Sequence, residues 1–216
     1  MGGPGSIAYT HPQYPWAATN VRITTLQGLA AAPFLDDLAR LRIRVFRDFP
    51  YLYEGDLAYE RGYAATYAAA AGSIIVLAQD GDTVVGASTA LPLCEETDEF
   101  QAPFLNGPWN PQRIFYFGES VLLPAYRGQG LGVRFFEARE AHARQAGGFD
   151  ICCFSAVQRP QDHPARPRNY VPLDAFWHKR GYVHHPELHT TFRWRDVGED
   201  HASAKPMSFW LKDLRA

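Results

Sequence analysis

Arg127, Gly128, Gln129, Gly130, Leu131 and Gly132 place one fixed cation and three glycines directly ahead of a helical pattern. Glycines there let the backbone turn freely and leave a row of N–H groups uncovered where the helix opens. Unpaired N–H groups and the positive end of the helix dipole both attract anions, so the chemistry of this stretch is phosphate binding. Arg127 adds a guanidinium suited to phosphate oxygens. Upstream, Glu119 is a carboxylate within the otherwise apolar run that ends at Leu123. Burial would raise its pKa and make it a base. A structural pair between Glu119 and an arginine or lysine has equal standing.

Other phosphate and metal motifs fit less well. A P-loop needs Gly-Lys-Ser/Thr, and no Lys follows these glycines. A dinucleotide fingerprint needs Gly-x-Gly-x-x-Gly, whereas the spacing here is Gly-x-Gly-x-Gly. His163, His178, His184, His185 and His189 lack the His-Glu-x-x-His pattern, and Pro186 interrupts the His185–His189 spacing, so no metal is expected. Cys152 sits in an apolar run that favours an inert buried thiol over a nucleophile.

The elements that must position these groups follow from periodicity and punctuation. Val21 to Leu26 alternates as a strand. A helix after Pro33 buries Leu35, Leu38, Leu41, Val45 and Phe49, with Arg40, Arg42, Arg44 and Arg47 mostly on other faces, and Pro50 ends it. A second helix from Asp56 to Ala71 carries Tyr59, Tyr63 and Tyr67 on one face. Ser73 to Gln79 and Thr83 to Leu91 form a hairpin about Asp80-Gly81-Asp82. A long excursion from Pro92 to Pro111 leads into the strand Arg113 to Leu123, which Pro124 stops. Leu131, Phe135, Ala138 and Ala141 give the next helix its buried stripe, and Gly147-Gly148 caps it. Phe149 to Val157 reads as a central strand covered on both faces. After a Pro-rich loop from Gln158 to Pro172 come a short helix from Leu173 to Arg180 and strands near Thr190 to Trp194 and Met207 to Leu211.

Strand, Tyr126-Arg127-Gly128-Gln129-Gly130-Leu131-Gly132, then helix closely resembles the acyl-CoA-binding motif of the Gcn5-related N-acetyltransferases (GNAT). That pattern is Arg or Gln, two variable positions, Gly, any residue, Gly or Ala, and Arg127, Gly130 and Gly132 occupy its defining places. The order of elements resembles the family over nearly the whole chain, and Leu173 to Tyr182 is similar to its later helix and Gly-aromatic segment. Phe49 to Gly55, together with Gln158-Arg159-Pro160 and His163-Pro164, resembles a bacterial subgroup of unassigned substrate.

The resemblance implies an α/β fold: one GNAT-like domain over residues 21–216 after an N-terminal extension of residues 1–20, with a mixed twisted sheet of about seven strands flanked by about four helices. It implies acetyl-CoA as cosubstrate and direct acetyl transfer to a primary amine. The alternative is a non-catalytic acyl-CoA-binding regulator. Backbone groups of Val121, Leu122 and Leu123 would pair with the pantetheine arm, the turn from Arg127 to Gly132 would take the pyrophosphate, and Glu119 would be the base. Tyr51, Tyr53 and Glu54 would wall the acceptor. Trp177 stands where many members carry a Tyr that protonates the leaving thiolate, so that role is not carried over.

Composition sets the remaining bounds. A chain of 216 residues with 46% hydrophobic residues can bury one good-sized core, and no apolar run is long enough to span a bilayer. The net charge of -2 gives no global attraction to nucleic acid or acidic membrane. Acceptor hints point both ways: Glu54, Glu95, Glu96, Asp98 and Glu99 suit a cationic amine, while Arg159, Arg166 and Arg168 suit a carboxylate or phosphates. Three cysteines and a start from Met1 to Ser6 without signal-peptide character suit a reduced, cytoplasmic chain. Oligomeric state is left open, a homodimer included.

Overall fold

The computed structural model describes residues 21–215; the proposed extension lies outside the described residues. Seven strands form one sheet: β1 (Arg22–Leu26), β2 (Ile74–Asp80), β3 (Thr83–Pro92), β4 (Ile114–Leu122), β5 (Ile151–Val157), β6 (Val183–Trp194) and β7 (Ser203–Asp213). Their order is β1-β2-β3-β4-β5-β7-β6, with β4–β5 parallel and the other neighbours antiparallel. Helices α1 (Leu35–Phe46) and α2 (Leu57–Ala69) cover one face. On the other lie α4 (Leu131–Ala146) and α5 (Asp174–His178), while the short α3 (Asp98–Gln101) belongs to the excursion before β4.

Each face follows from side-chain chemistry. On the α1/α2 face Leu38, Leu41, Ala64 and Tyr67 pack on Ile75, Leu77, Ala87 and Val121. On the α4 face Leu131, Phe135 and Phe136 pack on Val76, Val85, Phe115, Phe117 and Phe154. Asp56 caps α2, accepting the Tyr59 N–H at 2.9 Å, so this helix starts one residue later than the sequence suggests and ends two residues sooner. β6 is longer than expected because it resumes after a break between His185 and His189, where Pro186 lacks a ladder donor.

Two irregularities in β4 matter for function. Opposite β3, the register slips so that Gly118 and Glu119 together face Thr89, which is a β-bulge. Side chains alternate along a strand, so the extra residue turns Glu119 onto the same face as Gly118, towards α1 and α2. Opposite β5, pairing runs from Ile114/Ile151 to Tyr116/Cys153 and stops. From Phe117 onward the two parallel strands separate.

Candidate active site

The glycine turn joins the open end of β4 to α4. Gly128 and Gly130 have φ of 77° and 79°, a left-handed backbone that any side chain would strain. Val133 and Arg134 make the first helical bonds, both to the Gly130 carbonyl, which leaves the preceding N–H groups of Gly130, Leu131 and Gly132 facing outward at the positive end of the helix. Arg127, Gly128, Gln129 and Gly130 are exposed. Arg127 Nε donates to the Leu122 carbonyl at 3.1 Å and Gln129 Nε2 to the Ala125 carbonyl at 3.1 Å, while the Tyr126 hydroxyl ties the turn to Asp80 at 2.8 Å.

Hydrogen-bond parity assigns the groups along the gap. Leu123 N–H donates to Val85 O at 3.0 Å. Bonded and non-bonded pairs alternate in an antiparallel ladder, so Val121 also faces β3, and the backbone groups of Ser120 and Leu122 face the side that β5 has left. Of the three residues expected along a pantetheine arm, Leu122 presents its backbone to the gap. Val121 and Leu123 are engaged with β3, and Ser120 is the other residue whose backbone faces the gap.

Glu119 is buried, and its Oε2 lies 2.6 Å from Arg42 Nη1. The same guanidinium binds Glu60 through Nε, and Glu60 accepts the Tyr53 hydroxyl at 2.6 Å. Arg42 also stacks over Tyr63, 4.0 Å from the ring centre. The second Glu119 oxygen, Oε1, has no hydrogen-bond partner among the described residues. Burial raises the Glu119 carboxyl above its ordinary value, and the Arg42 charge draws it part of the way back.

Next to this cluster the Tyr63 and Tyr67 hydroxyls lie 3.0 Å apart, and Tyr67 donates to Glu96 at 2.5 Å. Burial pushes both phenols well above their normal range and raises the Glu96 carboxyl. Tyr67 is packed so closely over Gly118 that any β-carbon there would overlap its hydroxyl.

Candidate acceptor residues divide. Tyr51 lies between Phe46, 4.4 Å away, and Trp194, 6.0 Å away, with its pKa pushed to about 12, chiefly by burial. Tyr53 joins the carboxylate cluster through Glu60, whereas Glu54 turns outward to Arg47 at 2.8 Å. Arg159, read above as a possible anion ligand, is instead taken up by Asp196 at 2.7 Å and by the Pro50 and Tyr51 carbonyls, each at 2.8 Å, and so pins the aromatic turn to the sheet. Trp177 packs against Phe154 and Trp210.

The model of the Acetyltransferase (GNAT) family matches residues 37–168, more than half of the chain. The chain belongs to that family. Solved GNAT structures share its fold. An aminoglycoside 6'-N-acetyltransferase complexed with coenzyme A aligns at TM-score 0.57 and 16% identity, over 89% of this chain and 97% of that one. Ribosomal-protein-alanine N-acetyltransferase from Brucella melitensis aligns at TM-score 0.55 and 13% identity, over 89% and 99%. The structure of yncA from Salmonella typhimurium with its cofactor acetyl-CoA aligns at 0.51 and 12%, over 89% and 94%. No curated protein matches the sequence. Identities this low establish the fold and leave the acceptor unassigned.

Arg42 and Glu60 are the members of this cluster that sequence reasoning missed, and Glu96, read from the sequence as an acceptor hint, is the partner of the Tyr67 hydroxyl. Arg42 was grouped with the solvent-facing arginines, yet it falls four residues after Leu38 and next to Leu41, within the apolar stripe of α1. Spacing alone contained that signal. Among the described residues no group of three or more His, Cys, Asp or Glu is arranged to hold a metal ion, and no helix is long and apolar enough to cross a membrane.

Proposed function

We propose that this GNAT-family chain transfers an acetyl group from acetyl-CoA directly to a primary amine. The observation that carries the reading is the β4–β5 gap opening directly into an uncovered helix N-terminus flanked by Arg127. Pyrophosphate on the N–H groups of the turn and pantetheine along Ser120 and Leu122 would deliver the thioester to the β4 bulge. There the Ser120 N–H is the backbone donor available to the thioester oxygen.

An amine with a pKa near 10.4 is neutral in roughly one molecule in 2,500 at pH 7, so a base matters. Glu119 suits this role because its raised pKa brings it closer to working pH and Oε1 is unshared. The amine nitrogen bonds to the acetyl carbon, its proton passes to Glu119 through water, and the tetrahedral intermediate expels CoA thiolate. A thiol pKa of about 8.5 makes that departure tolerable without a dedicated acid, which accommodates Trp177. Tyr51 and Tyr53 contribute to the acceptor wall. The free thiols of Cys94, Cys152 and Cys153 support a reducing, cytoplasmic setting.

One observation favours the non-catalytic alternative: Glu119 is already paired with Arg42 in a nearly closed space. A panel of primary amines, followed by release of CoA thiol from acetyl-CoA, separates the two. Amine-dependent release supports transfer. Acetyl-CoA binding without release from any amine supports the regulator.

A further inference from the structure

Arg139, on α4, is among the largest fully enclosed side chains, 1% exposed, and no ion pair among the described residues includes it. Its four hydrogen bonds all go to neutral oxygens: Nε to Phe135 O at 3.1 Å, Nη1 to Thr89 O at 3.3 Å and to Glu119 O at 3.2 Å, and Nη2 to Ser120 Oγ at 2.9 Å. The guanidinium lies over the Phe117 ring, 4.1 Å from its centre. Burial lowers its pKa to about 10, which keeps it cationic at neutral pH. The Glu119 and Glu140 carboxylates act on it only through space, without a bonded ion pair. An enclosed charge with no bonded counter-charge is costly, and packing alone would be served better by an apolar side chain.

Its contacts coincide with the bulge. Thr89 and Glu119 are the residues whose ladder the bulge disrupts, and their carbonyls are those Arg139 holds. The Glu119 carbonyl and the Ser120 N–H belong to one peptide unit, planar and trans, so the two groups point in opposite directions. Arg139 grips the carbonyl end, and the N–H end faces the β4–β5 gap. A cation bonded to a peptide oxygen withdraws electron density and strengthens the N–H as a donor, most of all where water is excluded.

We propose that Arg139 is a positioning residue for acyl transfer: by bonding the Glu119 carbonyl it fixes the bulge and polarises the Ser120 N–H that receives the thioester oxygen. This rests on the acetyl-CoA reading of the gap. As the amine nitrogen bonds to the acetyl carbon, the carbonyl π pair moves onto oxygen, and the polarised N–H stabilises that oxyanion. The pair returns as the carbon–sulfur bond breaks and thiolate leaves. Arg139 gives up no proton in the cycle.

Acetyl-CoA labelled with carbon-13 at the thioester carbonyl gives a direct readout that needs no acceptor. Isotope-edited infrared spectra of the bound ligand should show the carbonyl band shifted to lower wavenumber in the wild-type protein. Arg139→Met should lose at least half of that shift with acetyl-CoA affinity within about twofold. With an accepted amine it should lower kcat roughly tenfold at unchanged KM for acetyl-CoA, part of the hundredfold or more lost when an oxyanion donor itself is removed. Arg139→Lys keeps the charge but not the forked contacts, and the same loss of shift is expected in it if the Met variant does not fold. An unshifted band in bound wild-type protein, or equal shifts in wild type and either Arg139 variant, would overturn the proposal. Failure of acetyl-CoA to bind at all appears first, in calorimetry, and counts against both the acyl-transfer reading and this one, whereas binding with an unaltered band counts against Arg139 alone.

Discussion

Arg42 Nη1 lies 2.6 Å from Glu119 Oε2, and the same guanidinium holds Glu60, so one buried cation serves two carboxylates from different elements. The arrangement joins α1, α2 and the β4 bulge in a single electrostatic unit. It also moderates Glu119, whose carboxyl burial alone would push higher still.

Replacing Arg42 with Met should therefore act on stability and on catalysis together. Two carboxylates would be left buried without their cation, at a cost of about 3–5 kcal/mol. In protein that remains folded, the Glu119 carboxyl should titrate higher, moving the acid limb of the rate profile to higher pH. Urea denaturation and a pH–rate series check the two effects separately.

Glu119→Gln is close in shape but cannot take a proton. If Glu119 is the base, kcat should fall by roughly a hundredfold or more, with acetyl-CoA affinity unchanged. The rate loss should shrink as pH rises and more amine is neutral. Single-turnover acetylation across a pH series is the check, and an unaltered rate would return Glu119 to a purely structural pairing.

Glu96 yields a stability prediction with a definite sign. Burial raises its folded pKa above the ordinary 4.5, so the folded state binds this proton more tightly than the unfolded chain does. That contribution is fully present below the unfolded value and is lost as pH rises through the raised folded value. Glu96→Gln keeps an oxygen for the Tyr67 hydroxyl but carries no charge. Its urea midpoint should fall less than that of the wild-type protein as pH rises from the ordinary carboxylate value through the raised folded value.

Gly118 is required by crowding. A methyl group at this position would collide with the Tyr67 hydroxyl and with Thr89 Oγ1. Gly118→Ala should displace Tyr67 from Glu96 and strain the bulge, with a loss of about 1–3 kcal/mol. Thermal unfolding measures the loss, and Gly118→Ala in a Tyr67→Phe background should recover part of it because the hydroxyl is gone.

The glycine turn was legible because its chemistry is local: Gly128, Gly130 and the following apolar stripe specify a left-handed turn and a helix start without help from the rest of the chain. The succession of strands and helices along the chain followed from the alternation of apolar runs with turn residues. Arg42, Glu60 and Arg139 were not legible in the same way, because a charge within an apolar stripe reads as a surface residue until its partners are known. Those partners come from elements distant in sequence, as with Arg42 and Glu119. The bulge was hidden for a related reason. It arises from a mismatch between β3 and β4, and its one local trace is Gly118 in a run of aromatics. Without the bulge, alternation would have turned Glu119 towards α4, away from Arg42.

The turn itself bears the most direct test. Calorimetric titration of the folded protein with acetyl-CoA should show one site per chain. Arg127→Glu should weaken it by about 1.5–3 kcal/mol, through loss of a charge-assisted hydrogen bond. No binding to the folded wild-type protein, or equal affinity in the variant, would contradict the assignment: the first removes acetyl-CoA from the account, and the second removes Arg127 from its site.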